Sequence, residues 1–141
     1  IRDSKYLNWR YISRPDKKYY NFEILDLADK KKVIGYIVLK LYKYKSKLYG
    51  HIIDYYIDTN YYHYYLESIM NALSFLKAKK SNIFSLWCHG DKKLLKTIKY
   101  LGFKKVSERP FICKVFNNKK ININKVKNDW YFTMGDTLEI Y

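Results

Sequence analysis

Cysteine, proline and glycine are scarce in this sequence, which has two, two and five of them among 141 residues. Cys88 and Cys113 lie far apart and form no CxxC pair. A disulfide-rich framework is therefore excluded, although a single disulfide stays open. Two isolated thiols are typical of a reducing compartment, so we expect a cytoplasmic protein. The cysteines and histidines also lack the spacing of a metal site, and we predict no metal.

Long apolar runs and several catalytic motifs are missing as well. No run approaches the roughly 18 consecutive apolar residues that a membrane span requires, so the sequence predicts no membrane span. The patterns GxxxxGK[ST], GxSxG and HExxH do not occur, which argues against P-loop, serine-hydrolase and zincin chemistry. The sequence begins at Ile1 in a polar stretch without an initiator Met, and we interpret it as a piece of a longer protein.

Acidic residues are few, and the resulting charge is unevenly distributed. The 28 Lys and Arg against 13 Asp and Glu give a net charge of +15, and residues 77–127 hold 15 basic residues against only Asp91 and Glu108. A field of this sign attracts phosphates, as in nucleic acid, CoA, nucleotides or anionic lipid. The alternative is a lysine surface that is merely solvated. The 17 Tyr suit stacking on single-stranded nucleic acid, but most of them lie at alternating strand positions, where Tyr is simply a good β former.

The hydrophobic pattern predicts a mixed α/β domain. A short helix over 5–14 ends before Pro15, which cannot continue it. Runs rich in β-branched and aromatic residues predict three successive strands. The polar turn 45–47 makes the second and third of them antiparallel, and weak alternation in the third indicates a central strand covered on both faces. These strands span residues 19–27, 33–44 and 48–58.

The period then changes from strand to helix and back. Helical spacing over 61–80, with Thr59 or Asn60 as N-cap, predicts a long helix before a strand at 82–88. Asp91 caps a second helix that ends at Gly102. One strand–helix–strand crossover among antiparallel strands predicts a mixed sheet, with 48–58 parallel to 82–88. Further strands are predicted at 103–106, 109–116 and 130–132, and residues 117–127 are predicted as a polar, basic loop with some strand potential at 121–126.

This order of elements, with three pieces of sequence, resembles the GNAT superfamily of N-acetyltransferases. The segment Asp91–Phe103 is similar to the family's capped helix with a Leu-Gly-Phe stop, and Gly50–Ile57 is similar to the fourth strand, which approaches acyl-CoA. Two terminal segments, Tyr6–Tyr11 and Trp130–Asp136, resemble a prokaryotic GNAT-like subgroup that often forms the C-terminal half of a longer chain.

The resemblance implies one GNAT-like domain over residues 1–141 whose usual first strand and first helix are missing. We expect them to lie before Ile1, in a fragment or C-terminal half. An N-terminal GNAT-like half or a second copy in a homodimer would then cover an exposed sheet edge.

The resemblance also implies an acyl-CoA-dependent N-acyltransferase that acts on an amine, with acetyl-CoA or another acyl-CoA as cofactor. Some GNAT-like relatives use aminoacyl-tRNA as the acyl donor instead. We expect unpaired N–H groups at Asn60–His63, and lysines on the neighbouring helix, to meet the phosphates. The residues implied in cofactor binding are Tyr56, Ile57, Asp58, Asn60, Tyr61, Tyr62, His63, Lys92 and Lys96.

Two departures from the family pattern support an alternative. The turn at 58–65 has no glycine, where the family uses small residues to close on the diphosphate. Ile98 occupies the position of a Tyr that would protonate the departing thiolate. The alternative is a degenerate, non-catalytic GNAT fold that binds nucleic acid, tRNA or a protein, and we expect any nucleic-acid binding to be weak and non-specific.

Asp54 is the candidate catalytic base. It lies on a strand that is covered on both faces, where burial would raise its pKa. The alternative is a structural Asp54 that hydrogen-bonds a neighbouring loop and never meets substrate. Strict alternation places His51 on the opposite face, as a packed core histidine.

Overall fold

The computed structural model describes residues 3–14, 18–88, 91–107 and 133–136. The chain divides into two compact units. Unit 1 comprises Ile1–Trp87 and Thr133–Tyr141, and unit 2 comprises Cys88–Phe132. Within the described ranges, no helix is both long and apolar enough to cross a membrane.

Unit 1 contains a four-stranded mixed sheet in the order β1-β2-β3-β4. The first three strands pair antiparallel, β3 and β4 pair parallel, and α2 connects the parallel pair. The predicted fold class and crossover are thereby confirmed. The strands are β1 (Tyr20–Leu25), β2 (Val33–Tyr44), β3 (Lys47–Ile57) and β4 (Ile83–Leu86).

A β-bulge in the middle of β3 changes which residues share a face. Val38 lies opposite Asp54 and Leu39 lies opposite Ile52, so Ile53 is an extra residue on β3. The extra residue shifts the alternation by one position. His51, which is paired with Lys40, therefore lies on the same face as Asp54, and the expectation of opposite faces was wrong.

The two faces of the sheet are covered differently. Helix α2 (Tyr65–Ala78) packs on one face, where a Cβ on Gly50 would touch the side chain of Leu76. The opposite face, called the Asp54 face below, carries a smaller core of Tyr11, Val38 and Ile53. The Asp54 face thus receives its cover from the N-terminal segment.

Two helices differ from their predicted extents. The segment predicted as one helix over 5–14 is α1 (Ser4–Leu7), followed by a π-helical turn at Asn8–Ile12. The helix predicted over 61–80 begins later, because a 3₁₀ helix spans Thr59–Tyr64 and α2 starts only at Tyr65.

Unit 2 is described through its helix α3 (Lys92–Tyr100) and the residues that follow it to position 107. The Asp91 carboxylate accepts hydrogen bonds from the N–H groups of Lys93 and Leu94, and Gly102 adopts φ 83° after the helix. Both caps are as predicted. Residues 103–106 form no strand, contrary to prediction. The strands predicted at 109–116 and 130–132, and the loop predicted at 117–127, lie outside the described residues.

Candidate functional site

The pairing between the parallel strands β3 and β4 stops partway along β3. Pairing runs from Tyr49 with Ile83 to Ile52 with Leu86, whereas β3 continues to Ile57. Beyond Ile52, none of the residues that the structure describes pairs with this edge of β3. The bulge at Ile53 lies where the pairing ends. Bulges are frequent beside active sites, and the edge of a strand that diverges from its neighbour can offer N–H and C=O groups to an extended ligand.

The Asp54 side chain lies where this pairing ends and is completely buried. Its Oδ2 accepts a hydrogen bond from Tyr11 Oη at 2.8 Å, and its Oδ1 accepts one from Thr133 Oγ1 at 3.0 Å. Oδ1 also accepts the N–H of Tyr55 at 2.9 Å. Such donors replace water around a buried carboxylate, which would otherwise be costly to bury.

Two further residues close this polar cluster. Arg10 donates from Nη2 to the carbonyl oxygen of Gly135 at 2.7 Å. A side chain at position 135 would collide with the Tyr11 hydroxyl, so only glycine fits there. Burial, together with the charge of Asp54, raises the pKa of Tyr11, and its hydroxyl therefore stays a donor. The cluster joins the N-terminal turn, β3 and the turn at 133–136.

Asp54 thus makes the loop contact that the structural alternative predicts. A catalytic base must reach the ammonium group of a substrate, but the Asp54 carboxylate is surrounded by Tyr11, Tyr55 and Thr133. A role as base would require the turn at 133–136 to move, and the assignment of Asp54 as base stays a prediction.

The connection from β3 to α2 does not present the expected row of free N–H groups. Asp58 caps the 3₁₀ helix, since its Oδ1 accepts the N–H of Asn60 at 2.9 Å and its carbonyl accepts that of Tyr61 at 2.8 Å. The expectation of unpaired groups was wrong for these two residues. The Asp58 carboxylate also carries the charge that repels a diphosphate.

The aromatic residues of this connection contact one another or a neighbouring lysine. The hydroxyl of Tyr61 accepts a hydrogen bond from Lys32, and this bond is the main cause that raises the pKa of Lys32. The rings of Tyr62 and Tyr65 stack with their centroids 5.4 Å apart, and the ring centroids of His63 and Tyr64 are 4.4 Å apart. The tyrosines thus form a packed turn rather than an open cradle.

The remaining predicted site residues are distributed over both units. Tyr56 is 48% exposed and stacks on Tyr36, whereas Ile57 is buried. Lys92 and Lys96 are exposed on α3, which belongs to unit 2. Ile98 is buried on the same helix. In the described part of the chain, no group of His, Cys, Asp and Glu is arranged to hold a metal ion.

Sequence reasoning missed the residues that surround Asp54, namely Arg10, Tyr11, Thr133 and Gly135. The two terminal segments, Tyr6–Tyr11 and Trp130–Asp136, contain them, so a signal was present. The pattern did not indicate that the two motifs meet, because the bond from Thr133 to Asp54 spans 79 residues of sequence.

Seven chains of solved structures resemble the fold. Two of them are crystal structures of an aminoglycoside acetyltransferase from an uncultured soil metagenomic sample, one in complex with trehalose and one with sisomicin. They have TM-scores of 0.48 at 20% and 19% identity, and the match covers 84% of this chain and 76% of theirs. A likeness at this level assigns no activity to the chain. No protein-family model and no curated protein matches the sequence.

Proposed function

We propose that the chain is an N-acyltransferase domain that takes the acyl-thioester arm of an acyl-CoA along the edge of β3 where its pairing with β4 has ended, and transfers the acyl group to an amine. One observation carries this proposal. The pairing of β3 with β4 stops at Ile52 and Leu86, at the bulge, while β3 runs on to Ile57.

The chemistry of the ligand matches such an edge. The pantetheine arm is extended and contains amide groups, so it can pair with a strand edge as an added strand does. Backbone N–H groups beside a bulge can also donate to the thioester oxygen as negative charge develops on it. The edge thereby supplies both binding and electrostatic stabilisation.

The transfer needs few further groups from the protein. The amine nitrogen bonds to the acyl carbon, the nitrogen loses a proton, and the carbon–sulfur bond breaks to release CoA thiolate. Asp54 is the candidate acceptor of the proton, reached when the turn at 133–136 moves away. Because Ile98 cannot donate a proton, solvent protonates the thiolate.

A second candidate function, a binding module without catalysis, is favoured by the connection between β3 and α2. Asp58 occupies the N–H groups of Asn60 and Tyr61, where the GNAT resemblance implies that the diphosphate of CoA binds. A fold retained for binding without catalysis would have no need of those groups. This candidate predicts that acyl-CoA does not bind at all.

Calorimetric titration distinguishes the two candidates. Acetyl-CoA and acetyl-pantetheine, which lacks the nucleotide and diphosphate, should both bind weakly, because the β3 edge recognises their shared arm. Acetyl-CoA should bind no more tightly than acetyl-pantetheine, because the Asp58 charge repels the diphosphate. Release of free thiol in the presence of polyamines then measures turnover. Absence of heat with either ligand would refute the acyltransferase and favour the binding module. Tight binding of acetyl-CoA alone would place the main contact at the diphosphate instead of the β3 edge.

We further propose that the outer edge of β1 has a protein partner. Among the described residues, nothing pairs with this edge. Phe22, Leu25 and Leu27 beside it are 39%, 40% and 67% exposed. An N-terminal GNAT-like half or a second copy of the chain would cover them, and the charges that flank this edge favour the second copy.

A further inference from the structure

Lysines concentrate at the end of unit 1 where the β2–β3 hairpin turns. Asn82 and Leu48 exchange hydrogen bonds of 2.7 and 2.9 Å, which hold the start of β4 and the preceding end of α2 beside the hairpin. Residues 40–53 and 68–88 contain no Asp or Glu. We call this region the basic end. Its exposed lysines are Lys43, Lys45, Lys47, Lys77, Lys79 and Lys80.

Four rings lie together on the Asp54 face, and of the lysines named above Lys47, which pairs with Tyr44, and Lys45 of the turn adjoin them. The lysines at the end of α2 lie on the opposite side of the sheet. Tyr42 lies opposite Tyr49, and each stacks on the ring two positions along its own strand. The Tyr42 and Tyr44 rings are 6.4 Å apart at 15°, and the Tyr49 and His51 rings are 6.2 Å apart at 17°. We call Tyr42, Tyr44, Tyr49 and His51 the aromatic strip. Its rings are nearly parallel within each strand.

The strip is accessible at one end and anchored at the other. Tyr44 is 51% exposed, and Lys45 Nζ lies 5.4 Å from the centre of its ring. At the other end, the Nδ1 of His51 shares a hydrogen bond of 2.6 Å with Ser85 Oγ. Burial and the neighbouring Lys40 lower the pKa of His51, so its ring is neutral at physiological pH.

We propose that the aromatic strip, together with Lys45 and Lys47 of the basic end, forms a binding site for single-stranded nucleic acid. Unpaired bases stack on exposed aromatic rings with little regard to sequence, and adjacent lysines neutralise the phosphates. A duplex hides the faces of its bases, so the rings select single strands. The stacking rings lie within 42–51, outside the basic segment 77–127, where only phosphate-driven binding was expected.

Fluorescence anisotropy with a labelled oligodeoxythymidine of about 12 nucleotides tests the proposal, since single-strand sites of this kind cover about 4 to 16 nucleotides. The oligouridine of equal length and a duplex are the comparison probes. We expect either single strand to bind more tightly than the duplex, and the ratio of the two single strands shows whether RNA or DNA is preferred.

Matched variants separate stacking from charge. Tyr44→Ser should weaken binding about tenfold, the loss typical of one base–ring stack. Tyr44→Phe, which keeps the ring, should bind with wild-type affinity. Tyr100→Ser, at a tyrosine that is 80% exposed on α3, is the control. The double substitution Lys45→Gln and Lys47→Gln should lower the slope of log affinity against log salt by about one to two. Lys30→Gln with Lys31→Gln, in the β1–β2 turn, is its control.

Two results would overturn the proposal. One is equal affinity of the Tyr44→Ser and Tyr100→Ser variants, which would leave a charged surface without stacking. The other is a duplex that binds at least as tightly as the single strands.

Discussion

At the scale of single residues, Asp54 organises the unit more clearly than any other side chain. Its carboxylate is buried and receives donors from the N-terminal turn, from β3 itself and from the turn at 133–136. Hydrogen bonds to a charged partner contribute about 1.5–3 kcal/mol each, roughly twice the value for neutral pairs. We therefore expect the cluster to stabilise unit 1 whether or not Asp54 also takes part in chemistry.

Near-isosteric substitutions measure this contribution. Tyr11→Phe and Thr133→Val should each lower the free energy of unfolding by about 1.5–3 kcal/mol, because each removes one donor from a buried charge. The loss of unfolding free energy in the double variant should differ from the sum of the two single losses, since both donors share one carboxylate. Urea denaturation provides the measurement. Thr97→Val, which removes an exposed hydroxyl on α3, is the control. If Thr133→Val behaves like this control, the turn does not bind Asp54 in solution.

At the scale of elements, the connection between β3 and α2 decides how a phosphate-bearing ligand is received. Asp58 satisfies two N–H groups and adds a negative charge where a helix N-terminus would otherwise attract an anion. The 3₁₀ turn and its tyrosines follow from that cap. This element, more than the sheet, separates the chain from the family pattern that its sequence resembles.

Neutralising Asp58 tests this view of the connection. Asp58→Asn keeps an oxygen that can cap Asn60 but removes the charge, so acetyl-CoA should bind about threefold to tenfold more tightly, as expected for one screened charge near a surface. Affinity for acetyl-pantetheine should stay unchanged because it has no diphosphate. Asp29→Asn, at an exposed carboxylate that accepts the N–H of Lys31, is the control. An equal gain for both ligands would contradict the electrostatic explanation.

The sequence predicted the elements well and their local irregularities poorly. Periodicity identified β2, β3 and α2 because each buries a face over many residues, and the Asp91 and Gly102 caps have strong local signatures. The bulge at Ile53 has none, since the strand around it is uniformly apolar and aromatic. The 3₁₀ helix was missed because Tyr62 and Tyr65 fit helical spacing as well.

The candidate site was predictable only in part. Asp54 was identified as important from its place on a covered strand, but its partners come from distant parts of the sequence and could not be assigned. The tyrosines of the aromatic strip were interpreted as strand formers. Their common face depends on the β2–β3 register, which places Tyr42 opposite Tyr49.

At the scale of the whole molecule, the outer edge of β1 is the surface that most needs a partner. A cavity of about 360 Å³ lies between β1 and α2, lined by Phe22, Leu25 and Phe75 among others. Exposed apolar edge strands promote pairing with another chain. The charges favour a second copy, because an antiparallel two-fold pairing centred on Phe22 places Lys18 of each copy opposite Asp26 of its partner.

Sedimentation equilibrium should therefore show dimers of the 17.2 kDa chain that form with rising concentration. Phe22→Lys should shift the equilibrium to monomer, because two like charges would meet at the centre of the paired edges. Tyr100→Lys introduces the same charge at an exposed aromatic position on α3 and should leave the dimer intact, and circular dichroism would verify that both variants fold. A wild-type chain that stays monomeric at every concentration would contradict the proposed dimer. Equal dissociation by both substitutions would show that net charge, and not the β1 edge, controls association.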